Sequence, residues 1–197
     1  MRVFFAVKFA DYVKAALIDR LAEIKKHTLK GNFTEKDNFH ITLVFVGECE
    51  TGRIADLSKI IDNTVAKLKL TPIKANIGGL ATFARPGEEL LWAGVKTEPE
   101  NILYNINKTI FDELANFGIK VNDDIKKFTP HVTLARKVEF WRISSKDLNQ
   151  IKFEPINFSI KSLTLMESVQ EVTNVTIDDV ERRYTKIIYK PIYESKF

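Results

Sequence analysis

The sequence predicts a mixed fold of strands and helices built on a duplicated αβ unit, in which two related lobes each bring one polar-faced strand to a common cleft. Two self-similarities carry that expectation. Phe39-His40-Ile41-Thr42-Leu43 matches Pro130-His131-Val132-Thr133-Leu134, and Pro72-Ile73, Ile77 and Leu80 recur at the spacing of Pro155-Ile156, Ile160 and Leu163. The order motif, connector, proline-led strand therefore occurs twice. A third observation agrees with it: strand and helix patterns alternate along the chain with no segment that reads as a linker.

The elements follow from local pattern. Arg2 to Phe9 is β-branched and aromatic and reads as a strand; Asp11 then caps a helix whose Val13, Leu17, Leu21 and Ile24 share one face, ending near Gly31. Phe39 to Val46 is a second strand. Thr51 opens a helix with Ile54, Leu57, Ile61, Val65 and Leu68 on one side, stopped by Pro72. The turn signal Arg85-Pro86-Gly87 joins Pro72–Phe83 and Leu90–Val95 into a hairpin. Pro99 starts a third helix with Ile102, Leu103, Ile106, Ile110, Leu114 and Phe117 inward and Gly118 beyond its end. His131 to Val138 is strand, Ser145 to Ile151 a short helix, and Pro155–Met166 and Arg183–Tyr189 are final strands around a polar loop, Val169 to Asp179.

Composition narrows the function classes. With 45% apolar and 28% charged residues the chain is that of an ordinary globular protein, and 197 residues suffice for one domain with a real core. There is neither a signal-peptide pattern nor an apolar run of membrane-spanning length. The single cysteine, Cys49, rules out an intrachain disulfide and a cysteine-rich zinc cage and reads as a buried thiol; a reducing, cytoplasmic setting fits. The net charge of +4 permits an anionic partner without demonstrating one.

Two of the three histidines lie in His-X-Thr-Leu, a coincidence with a chance of roughly one in ten thousand at this chain's own threonine and leucine content. On a strand, His40 and Thr42 point the same way, about 6.6 Å apart, while Phe39, Ile41 and Leu43 point into a core; His131 and Thr133 repeat the arrangement. Two imidazoles suit a reaction that needs one proton removed and another delivered near neutral pH. Phosphodiester displacement is such a reaction, with the threonine hydroxyls holding non-bridging phosphoryl oxygens. A metal is not required, and His40 and His131 have no evident third ligand, since His27 sits beside Lys25-Lys26.

These motifs resemble those of the two-histidine (2H) phosphoesterase superfamily, and more closely those of the bacterial and archaeal RNA 2′,3′-cyclic phosphodiesterases, once named 2′-5′ RNA ligases. The likeness extends over Arg2-Val3-Phe4-Phe5-Ala6-Val7, Asn38 to Leu43 with Gly47-Glu48, Leu80 to Phe83 before Leu91-Trp92, and Thr129 to Arg136. The resemblance implies an α+β fold of two pseudo-symmetric αβ lobes, antiparallel sheets facing a central cleft and helices outside. It implies metal- and cofactor-independent opening of an RNA 2′,3′-cyclic phosphate end to a 2′-phosphate, reverse 2′-5′ ligation as a weak activity, and His40 as proton donor with His131 as proton acceptor; a monomer is expected.

The other site residues carry alternatives. Arg136 stands where the family has a phosphate- or RNA-contacting arginine, yet lies five residues after His131, the wrong parity for a regular strand. Phe83 either stacks on the terminal base or packs in the core, and Trp92 reads as core. The resemblance places Ser168 and Tyr184 near the cleft. Lys126, Lys127 and Lys137 form either a basic rim for a polyanion or a wet loop. Two rival functions stay open: the same chemistry on a small cyclic nucleotide or 2′-5′ oligonucleotide, and a non-catalytic RNA-end binding module.

Overall fold

The structure is a computed structural model that describes residues 1–85, 88–121, 128–141, 143–177 and 180–197, with the backbone alone for 85, 88, 173–177 and 180–184. Nine strands form one curled antiparallel sheet in the order β7-β4-β5-β6-β3-β1-β8-β9, with β2 pairing β6 away from that path. The strands are β1 (Arg2–Lys8), β2 (Thr28–Phe33), β3 (His40–Glu48), β4 (Ile73–Arg85), β5 (Glu88–Glu98), β6 (His131–Phe140), β7 (Ile156–Ile160), β8 (Ser162–Ile177) and β9 (Val180–Lys196). Helices α1 (Asp11–Lys25), α2 (Ile54–Leu68) and α3 (Ile102–Asn116) all pack on one face of it.

A single apolar core lies between that face and the helices. Val3, Phe5 and Val7 of β1, Ile41 and Leu43 of β3 and Val132 and Leu134 of β6 meet the inner stripes of the helices, such as Leu17, Leu21 and Ile24 of α1 and Leu103, Ile106 and Ile110 of α3. Period-2 alternation on the strands and 3.6-period spacing on the helices produce this one seam. The opposite face of the sheet is open, and Phe4, Ala6 and Met166 form only a small apolar cluster there with Phe45 and Tyr189.

The strand order is pseudo-symmetric about the line between β3 and β6, and the two halves share one sheet and one core. On that axis β1–α1–β3 corresponds to β5–α3–β6, and β4 to β8. The proline-led repeat does not follow this symmetry. Its two strands, β4 and β7, are hydrogen-bonded neighbours in the same half, with Ile73 opposite Ile160 and Ile77 opposite Ile156. Their common spacing reflects a shared stretch of core.

Three further expectations are corrected. The first helix ends at Lys25, and 28–33, read as its continuation and end, form β2 against β6. The expected helix at Ser145–Ile151 shrinks to one 3-10 turn, Leu148–Gln150. The polar loop after Met166 is strand up to Ile177, paired with β9 in a long ribbon. Val172, Thr173, Val175 and Thr176 carry the β propensity for it, but their polar neighbours mask the alternation.

Each histidine strand carries a bulge just after its motif. Against β1, the pairing steps from Thr42 to Val44, leaving Leu43 extra; against β5, it steps from Thr133 to Ala135, leaving Leu134 extra. Both strands then show two consecutive buried residues, 43–44 on β3 and 134–135 on β6, which brings positions 45 and 136 to the open face. The carbonyls at the bulges still find donors. Asn107 of α3, 2% exposed, donates from Nδ2 to the Leu43 carbonyl at 2.7 Å, and the backbone N–H of Thr34 donates to the Leu134 carbonyl at 2.8 Å. On the other side of α3, Glu113 is buried; burial disfavours its charge, but hydrogen bonds from Lys67 and Asn63 of α2 outweigh that and hold its carboxyl below the ordinary range.

Replacing Asn107 by leucine keeps the branched heavy-atom skeleton and leaves the Leu43 carbonyl without its Asn107 donor. Asn107→Leu should lower unfolding free energy by about 2 kcal/mol, read as a shift in the urea midpoint at unchanged slope; an unshifted midpoint would mean the bulge needs no such support.

Candidate functional site

β3 and β6 are joined at Ile41 opposite Val132. Continuing that antiparallel register sets His40 opposite Thr133 and Thr42 opposite His131, all four on the open face because Ile41 and Val132 are in the core. The histidines therefore occupy two corners of a four-residue square, diagonal neighbours with backbones roughly 7–8 Å apart. The four side chains are half-buried, neither locked in the core nor free in solvent.

Both imidazoles are held alike. His40 Nδ1 lies 2.7 Å from the carbonyl oxygen of Asn38, and His131 Nδ1 lies 2.6 Å from that of Thr129, in each case two residues upstream. A carbonyl only accepts, so Nδ1 is the protonated nitrogen in each ring and Nε2 carries the lone pair of the neutral form. His40 Nε2 is 3.0 Å from Thr42 Oγ1, whose hydroxyl donates to it. Burial pushes the His40 pKa down from 6.5 to about 4, against the hydrogen bond to Asn38, and the positive charges of His131 and Arg136 add to the depression. That both charges act on His40 places all three groups in one electrostatic neighbourhood.

Aromatic rings flank each histidine. Phe4 and Tyr189 lie 4.9 and 4.8 Å from His40, centroid to centroid, and Phe83 and Trp92 lie 5.2 and 5.7 Å from His131. Phe83 stacks on Trp92 at 4.9 Å, and neither ring belongs to the main core, which corrects the expectation of a core Trp92. The indole Nε1 of Trp92 is buried with no hydrogen-bond partner among the described residues.

Arg136 is exposed, and the β6 bulge removes its parity problem: with Leu134 and Ala135 both buried, position 136 returns to the face of His131 and Thr133. The same bulge on β3 puts Phe45 there. Ser168 is half-buried opposite both Arg2 and Tyr189 on the open face. Tyr184 pairs with Thr173, five positions farther along the ribbon, and its side chain lies outside the described residues, as do Lys126 and Lys127. Lys137 is exposed beside Arg136.

Sequence reasoning missed Asn38 and Tyr189 as parts of the site. The Asn38 carboxamide donates to the Ile187 carbonyl at 2.7 Å and accepts from the Tyr189 N–H at 3.2 Å, drawing β9 against His40. No local pattern signals a contact between positions 151 residues apart. Among the described residues, no three His, Cys, Asp or Glu side chains cluster as metal ligands do, and no helix is long and apolar enough to cross a membrane.

Known proteins share this architecture. The RNA 2′,3′-cyclic phosphodiesterase of Thermotoga maritima is 24% identical over 199 residues, covering 100% of this chain and 96% of that protein. The RNA 2′,3′-cyclic phosphodiesterase of Aeropyrum pernix is 30% identical over 190 residues, covering 91% and 96%. Among solved structures, apo LigT of E. coli superposes with a TM-score of 0.66 at 19% identity, covering 99% of this chain and 96% of LigT. The family described as the AKAP7 2′5′ RNA ligase-like domain matches residues 4–157. A match over that much of the chain, on a sheet that sets the paired His-X-Thr strands side by side, makes this protein a member of that family of two-histidine phosphoesterases.

Proposed function

We propose that the protein hydrolyses RNA 2′,3′-cyclic phosphate ends to 2′-phosphates by general acid–base catalysis between its two histidines. The observation that carries this reading is the diagonal placement of two identically tethered imidazoles on one face of β3 and β6. The curated relatives named above for that reaction support the substrate.

In the proposed reaction the cyclic phosphorus sits between the rings. His131 Nε2 takes a proton from water as its oxygen bonds to phosphorus, the bond to the 3′ oxygen breaks, and His40 delivers a proton to that leaving oxygen. The products are a 2′-phosphate and a free 3′-hydroxyl. The hydroxyls of Thr42 and Thr133 and the Arg136 guanidinium stabilise the charge on the non-bridging oxygens. Phe83, stacked on Trp92 beside His131, offers a shelf for the terminal base. A 5′-hydroxyl in place of water gives 2′-5′ ligation through the same two proton transfers. Both transfers are supplied by imidazole, so no metal enters the scheme.

A proton donor must hold a proton, and free His40, titrating near 4, is neutral at pH 7. A bound phosphodiester supplies the missing negative charge: it opposes the repulsion from His131 and Arg136 and raises the His40 pKa. Anion binding therefore takes up a proton between about pH 4 and the raised value.

His40→Ala and His131→Ala should each lower kcat on a cyclic-ended RNA oligomer by about 10²- to 10⁴-fold in excess chelator, and Thr42→Ala or Thr133→Ala by about 10- to 100-fold. Full turnover in either histidine variant refutes the mechanism, and tight binding without any product in the wild type leaves only the RNA-end binding module. Proton linkage is checked by calorimetry with inorganic sulfate at pH 5 in buffers of different ionisation enthalpy. Uptake approaching one proton, lost in His40→Gln, is expected; no uptake would give His40 the base role instead.

A further inference from the structure

The bulge on β3 has a consequence that the two histidines do not use. Position 45 is the pseudo-symmetric counterpart of 136, and where β6 presents an arginine, β3 presents Phe45. The missing cation comes from the neighbouring strand: the Arg2 guanidinium lies 4.9 Å from the Phe45 ring centroid. β1 runs in unbroken register along β8, so Arg2, Phe4 and Ala6 share the open face, and Phe4 contacts His40. The sheet thus carries an arginine on each side of the histidine square, Arg136 on β6 and Arg2 over β3.

Arg2 is exposed, and no carboxylate pairs with it among the described residues. Glu48 is its neighbour in register, but that carboxylate turns to the Met1 amino group at 3.9 Å. Lys8, farther along the same face of β1, is paired with Glu194. Ser168, directly opposite Arg2, adds a hydroxyl. A cation steadied on a ring beside a hydroxyl, on an otherwise apolar patch of Phe4, Ala6 and Met166, fits an oxyanion. From Thr42 to Phe45 the strand advances at most about 10 Å, which suits a second phosphate on one strand and not the reacting one.

We propose that Arg2, seated on Phe45 and flanked by Ser168, binds an internal phosphodiester of the RNA strand whose cyclic end lies between the histidines. This subsite rests on the RNA-end reading above, and it favours an oligomer over a mononucleotide at that same centre. It gives the protein a contact that recognises the strand by its backbone charge, independent of sequence.

The test compares equilibrium binding of a five-nucleotide RNA ending in a 2′-phosphate with that of a nucleoside 2′-phosphate, in wild type, Arg2→Gln and Lys59→Gln, an exposed cation on α2 that carries the same charge change. Arg2→Gln should lower the preference for the oligomer about fivefold to tenfold and make the slope of log Kd against log salt shallower by about 0.7, while Lys59→Gln changes neither. An unchanged preference in Arg2→Gln, or an equal loss in Lys59→Gln, overturns the subsite. Because binding is read on the product, absence of turnover in the wild type would defeat the phosphodiesterase reading alone and leave the Arg2 result to stand or fall by itself.

Discussion

The site depends on one contact between strands, the pairing of Ile41 with Val132 that holds β3 against β6. It is the seam between the two halves of the sheet. Because side chains alternate along both strands, burying Ile41 and Val132 in the common core obliges His40, Thr42, His131 and Thr133 to emerge together on the open face. A slip of one residue in either strand would send that strand's histidine and threonine into the core. The hydrophobic effect thus sets the geometry of a polar site: Ile41, Leu43, Val132 and Leu134, each essentially inaccessible, fix where the imidazoles stand.

The bulges and tethers complete what the pairing starts. The extra residue in each strand resets the alternation, so that beyond the square β6 offers Arg136 and β3 offers Phe45 with Arg2 above it. Carbonyls two residues before each histidine fix the ring tautomer, and Thr42 answers the far nitrogen of His40. In the free protein this surface carries hydroxyls, the guanidinium groups of Arg2 and Arg136 and, at His40, an imidazole that burial keeps neutral. On the function proposed here, such a half-buried site attracts a phosphate and gains a proton when it receives one.

Sequence exposed the paired motifs and the helices better than the topology. The duplicated His-X-Thr-Leu and the helical stripes of α1, α2 and α3 are local patterns, and the structure follows them. The proline-led repeat misleads because similar apolar spacing arises whenever two strands line the same core. β2 was hidden by Lys30, Gly31 and Asn32, which neither alternate nor bury. Arg136 could not be placed by counting, since a bulge adds a residue without any marker in the sequence. Tyr189 became part of the site only through Asn38, across a separation that no window on the chain spans. Trp92 looked like core because its strand is apolar, whereas its ring stacks with Phe83 beside His131.

The central claim is that one anion is shared by two histidines, and a titration that sees both rings tests it most directly. With the imidazole nitrogens followed by NMR, inorganic phosphate added to the wild-type protein should move the Nε2 signals of His40 and His131 together, on one saturation curve, and leave His27 unmoved. Separate curves for the two rings, or movement of only one of them, would contradict a shared phosphorus centre.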